Sequence, residues 1–176
     1  MSDTNRSSVD RRVEGPFSSL LINVSGGVTV CTGDLMFIDD ADNLRNNGSS
    51  ISSSNGYPIS YLRSGTSIEQ NKDALKERFL GVAIDDKDGV SNGGDSNIPV
   101  LTGGKFSFPL KPAKTVNAGD YFGPSGTTTD SDMFDQKVMK TSFVTRALGY
   151  FAERKVHALT AEVFLRTKTG SLGLIK

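Results

Sequence analysis

Tryptophan is absent, cysteine and histidine occur once each, and neither sign of charge dominates, Lys plus Arg equalling Asp plus Glu at 20 each. Each shortage closes a class of function. A lone cysteine, Cys31, excludes an internal disulfide and any CxxC zinc or redox pair, which predicts folding in a reducing setting. A lone histidine, His157, has no defined catalytic partner in the sequence and reads as a hydrogen-bonded or surface residue. Balanced charge excludes the global basic field that draws a chain to nucleic acid or to an anionic membrane, so neither partner is expected. No run of 18 apolar residues occurs, and the opening "MSDTNRSSVDRRVEG" is polar throughout, so neither a spanning helix nor a secretory leader is expected. Walker, GxSxG and HExxH motifs are missing as well, and the expectation is a chain with no catalytic residues, no cofactor and no resident metal.

What is present is glycine, 19 residues of it, among abundant Ser, Thr, Asn and Asp, in a chain of 176 residues with a hydrophobic fraction of 36%. That balance suits a loop-rich β protein with one core. The segments "FLGVAIDD", "NIPVLTGG", "KFSFPL", "TVNAGDYFGP", "SFVTRALGYFA" and "HALTAEVFLRT" read as strands between turn residues. In "KFSFPL", Phe106, Phe108 and Leu110 alternate with Ser107 and Pro109, predicting one buried face and an edge or bulge at the proline. "TSIEQNKDALKERF" breaks the pattern: Glu69 stands in a first turn, Lys76 and Arg78 in a last, with Ile68, Leu75 and Phe79 near helical spacing. The predicted fold is all-β and mainly antiparallel, a compact β-barrel or β-sandwich with one short helix and an extended N-terminal arm. Its divisions are an arm over 1–24, a barrel over 25–168 and a tail over 169–176.

Two stretches share a pattern. "TGDLMFIDD" and "AGDYFGPSG" each place a Gly-Asp pair before an apolar run, so Gly33-Asp34 and Gly119-Asp120 are predicted to be matching turns that start similar strands. The acidic run "IDDKDGVSNGGD" fails as an EF-hand, because aligning Asp86, Asp88 and Gly89 puts Ile84 at the first ligand position. It and the Asp39, Asp40, Asp42 loop read as solvated turns, with a weak, irregular cation site as the alternative. Residues 137–168 are rich in Lys and Arg, which predicts a basic surface used, if at all, by a protein contact.

The order "FLGVAIDD", "VLTGGKFSFPLK", "TVNAGDYFGP", "RALGYFAERKVHALTAEVFL", preceded by "GDLMFIDDA", resembles the small β-barrel decoration, or cement, proteins of tailed bacteriophage heads. The resemblance spans roughly Gly33 to Leu165. It implies a non-enzymatic structural protein, commonly a homotrimer, made in the host cytoplasm and bound to the outer surface of the capsid. There it bridges neighbouring major capsid proteins. The arm, Ser/Asn-rich loop and Gly-rich tail depart from that pattern. On one reading the arm adds a strand to a neighbouring subunit, with Phe17, Leu20 and Leu21 filling pockets and Arg11 and Arg12 meeting acidic groups. On the other, residues 17–24 form the first strand of the barrel. Two further readings remain: another virion β-barrel, either a tail or baseplate subunit or an adhesin binding host carbohydrate through Tyr57 and Tyr61, and a dUTPase-like trimeric hydrolase suggested by "YLRSGTS", in a chain without the acidic-aromatic motif that such enzymes need.

Overall fold

The computed structural model describes residues 11–14, 18–38, 56–58, 68–89, 94–126 and 133–167. The chain is all-β with a single α-helix among these residues, as the alternation of apolar and turn residues predicts. The strands run β1 (Arg12–Glu14), β2 (Ser19–Val24), β3 (Leu35–Ile38), β4 (Gly56–Pro58), β5 (Phe79–Ala83) and β6 (Ser96–Leu101), with helix α1 (Ile68–Arg78) between β4 and β5. They continue as β7 (Lys105–Val116), β8 (Tyr121–Gly126), β9 (Met133–Lys140), β10 (Gly149–Phe151) and β11 (Lys155–Leu165), with a 3-10 turn at Val144–Arg146.

Two sheets result. Strands β2–β6–β5–β3–β4 form one, antiparallel throughout. Strands β7–β11–β10–β8–β9 form the other, which closes into a five-stranded barrel where β7 and β9 pair in parallel at Leu110 and Val138; β1 adds to the outside of β7. The first sheet curls likewise: a Cβ at Gly56 of β4 would strike the Ile22 side chain of β2.

The two sheets have the same strand order, and the likeness extends to single hydrogen bonds. Gly33 N donates to Ala83 O and Ala83 N to Asp34 O; Gly119 N donates to Phe151 O and Phe151 N to Asp120 O. Ile84 N to Pro99 O is matched by Ala152 N to Glu162 O, and Thr102 N to Ser18 O by Leu165 N to Gly104 O. The Val30–Lys87 bridge corresponds to the Val116–Lys155 pair. One five-stranded unit is thus built twice in tandem, closed by strand pairing in the second copy and curled into a barrel shape in the first. Residues 18–38 correspond to 104–124, 80–87 to 148–155 and 98–102 to 161–165. The single barrel expected over 25–168 is two such units around one continuous core, to which both contribute.

Burial follows the strand period. Phe106, Phe108 and Leu110 face the core at 0%, 0% and 5% exposure, while Pro109 lies opposite Thr160 beside an irregularity in the β11 register, the bulge that a proline favours. His157 falls in that irregular stretch at φ 45°. Two expectations change. Residues 19–24, assigned to the arm, pair along the whole of β6, and Ile22 and Val24 enter the core. "SFVTRALGYFA" is not one strand: residues 144–146 coil into the 3-10 turn before β10. The tail over 169–176 lies outside the described residues.

Candidate functional site

The paired Gly-Asp turns come first, because they aim the strands behind them. Asp34 accepts from Cys31 N at 2.8 Å through Oδ2 while its own N–H donates to Cys31 O. Asp120 repeats this with Asn117, the side-chain bond being 2.7 Å. Gly33 and Gly119 occupy the third turn position at φ 91° and 83°, a region open to glycine and strained for other residues. Asp120 also accepts from Lys140 Nζ at 2.5 Å, and that bond, with the Asn117 amide, holds its carboxyl below the usual carboxylate range. Both turns are closed by the same side-chain and backbone hydrogen bonds.

The acidic loop after β5 braces the first barrel. Asp86 Oδ1 accepts from Thr32 N at 2.6 Å and Thr32 Oγ1 at 2.9 Å. Lys87 turns inward, and its ammonium donates to the carbonyls of Ser25, Gly26 and Val28 at 2.8, 2.9 and 3.2 Å. Burial lowers its pKa, against the opposing pull of Asp95 and Asp88. A lysine ammonium thus fills the carbonyl cage that a cation would seek. Among the described residues no group of three or more His, Cys, Asp and Glu is placed to hold a metal. The Asp39, Asp40, Asp42 loop lies outside them.

The basic surface expected over 137–168 is partly neutralised within the chain. Lys140 pairs with Asp120, Lys155 with Glu153 at 2.8 Å, and Arg146 with Glu69 and, at 2.8 Å, Asp73 of α1. Beside the Arg146 contact, a cleft of about 180 Å³ lies between α1 and β8–β9, lined by Lys72, Pro124, Met139 and Phe143 among others. It is smaller than the ~300–1,000 Å³ typical of small-molecule sites. Lys72, whose pKa burial lowers, directs its ammonium at Met139 Sδ there, 3.5 Å away.

The residues proposed for an external contact separate into three groups. Arg11 is held by its own chain: Nε donates to Gly33 O at 3.0 Å, and the guanidinium lies 4.9 Å from the Phe108 ring centroid. Strand addition by the arm occurs here too, Arg12 and Glu14 pairing with Phe106 and Lys105 of β7 within the same molecule. Leu20 and Leu21, by contrast, reach solvent from β2 at 36% and 66% exposure. Phe17 lies outside the described residues. Tyr57, offered for stacking on sugars, is buried at 1% exposure with its hydroxyl 3.4 Å from Ser25 Oγ, and Tyr61 lies outside the described residues. Cys31 is buried in the first barrel, whereas His157 is exposed on β11 of the second.

A further exposed row escaped the sequence reading. Tyr121 of β8 lies opposite Tyr150 of β10, and Tyr150 opposite Phe164 of β11, with ring centroids 5.3 Å apart in the latter pair. Tyr121 and Tyr150 are 37% and 41% exposed. The signal was available in the Gly-Asp match. Aligning the turns sets Tyr121 against Leu35, and the shared Leu-Gly of 80–81 and 148–149 sets Tyr150 against Val82.

Fold and surfaces together define a tandem-barrel β protein that presents apolar side chains from strands. No protein-family model matches the chain, and no curated protein matches it either.

Proposed function

We propose that the chain is a capsid decoration protein, bound to the outside of a phage head and bridging neighbouring major capsid proteins. The observation that carries the reading is Leu21, 66% exposed beside Leu20 on a strand paired along its full length with β6. An apolar side chain on a strand loses little conformational freedom on docking, because the backbone is already ordered. The resemblance in motif order from Gly33 to Leu165 supports the same reading. So does a compact all-β body, which suits a part that transmits load between subunits.

The mechanism is additive. Each copy places a modest apolar contact across a boundary in the shell, and separating two subunits then requires breaking that contact as well as their own. Linked copies on equivalent sites gain roughly 10²–10⁴ in avidity over one contact. Leu20 and Leu21 are the contact residues of this proposal; Arg11 is withdrawn from it, since its guanidinium is used inside the fold. Quantitative mass spectrometry of purified virions tests the reading. A copy number near that of the major capsid protein is expected, falling when Leu21→Glu is carried by the phage. A few copies per particle would move the chain to tail or vertex, and absence from virions would overturn the proposal.

A further inference from the structure

The two barrels carry the same row of three positions and treat it differently. In the first, Leu35, Val82 and Leu101 stand side by side on β3, β5 and β6 at 0%, 1% and 5% exposure. Two buried hydrogen bonds from the second barrel land at the ends of this row. Gln136 Oε1 accepts from Leu35 N at 2.5 Å, and Thr167 Oγ1 donates at 2.8 Å to the carbonyl of Thr102, the residue after Leu101. The second barrel thus meets the row of the first at both ends. In the second barrel the equivalent positions are Tyr121, Tyr150 and Phe164, on β8, β10 and β11, and the two tyrosines face solvent.

We propose that the Tyr121–Tyr150–Phe164 row is a docking surface for the first barrel of a second copy of this chain. It repeats between molecules the barrel-to-barrel contact that the chain makes within itself. The occupant follows from the duplication: at the copy of this row in the first barrel, hydrogen bonds from another barrel of the same fold reach both ends. The chemistry agrees. The covered row is aliphatic, as a permanently dry core requires, whereas the open one is largely tyrosine, which tolerates water when alone and supplies apolar area and a hydroxyl when covered. Because the row of one barrel meets a different face of the next, the contact is heterologous, and successive copies close into a ring or extend as a chain. The inference rests on the internal repeat and not on the capsid reading, so either can fail alone.

The test uses the full chain. Sedimentation velocity at about 100 μM is expected to show assemblies, and Tyr150→Glu to weaken assembly at least about tenfold, as loss of a central aromatic anchor does. Leu159→Glu, outside the row and 74% exposed, is expected to leave assembly unchanged. Equal thermal midpoints for Tyr150→Glu and the parent show that the variant folds. A photo-crosslinker at position 150 is expected to label the first barrel of another copy. A monomeric parent protein, an assembly indifferent to Tyr150→Glu, or crosslinks joining position 150 to the second barrel of its partner would each overturn the proposal.

Discussion

At the scale of single residues, the fold depends on short polar side chains that finish what the backbone leaves open. Asp34 and Asp120 each accept the N–H three residues back, and Lys87 gathers the carbonyls of Ser25, Gly26 and Val28 on one ammonium. Asp120 is the one with a testable pH signature. Its carboxyl is held below the ordinary value by Lys140 first and by Asn117, so the folded state binds that proton less readily than the unfolded chain. The associated stability is complete above the unfolded pKa and disappears as pH falls through the lower folded one. Asp120→Asn removes the charge while keeping a turn acceptor. The expected result is a loss of at most about 1 kcal/mol at neutral pH, as partly exposed ion pairs give. The gap between parent and variant closes in urea titrations carried down through and below the usual aspartate range. Glycine has its own constraint at Gly149, where a Cβ would stand 1.9 Å from Phe164 O; the "LG" of both repeats thus marks a place where one strand presses on the next.

At the scale of elements, β1 changes the meaning of the N-terminal segment. Arg12–Glu14 pair with the outside of β7, and just before them Arg11 lays its guanidinium over Phe108, one of the largest fully buried side chains. A basic residue that reads in the sequence as a solvent-facing contact is a lid on the core. Arg11→Ala is expected to cost about 1–2 kcal/mol, from a lost cation–π contact and a carbonyl left without its donor. The drop in unfolding midpoint should appear in isolated protein with no binding partner present. Truncating the arm therefore disturbs the barrel itself, and contacts with a partner are better probed at Leu21. The helix shows a different balance. α1 was legible from its charged ends and helical spacing, yet it is tied to the second barrel by residues distant in sequence, Arg146 meeting Glu69 and Asp73, and Met139 meeting Lys72.

At the scale of the whole molecule, the chain is a duplication held together by a buried seam. Gln136 is its polar centre: buried at 6% exposure, at φ 51°, with its side-chain oxygen on Leu35 N. Gln136→Ala leaves that buried amide without its acceptor, and a loss of about 1–3 kcal/mol is expected. Because one core spans both barrels, parent and variant should each melt in a single calorimetric transition. Two separated transitions in the parent would show barrels that fold independently.

The all-β class, the helix, the buried face of Phe106, Phe108 and Leu110, and the Gly-Asp turns were determined by the sequence itself. Each depends on local rules: a period of two or of 3.6, an end charge, or a backbone that only glycine enters easily. The tandem repeat was half legible, since the turns match while the strands between them share few identities; side chains at equivalent positions answer to different surroundings. Which cations are free, which tyrosines face water and whether Arg11 reaches outward were decided only by the tertiary structure. These properties belong to pairs of residues far apart in the chain. Burial of Leu35 and exposure of Tyr121, at one and the same position of one fold, depend on which barrel has a neighbour.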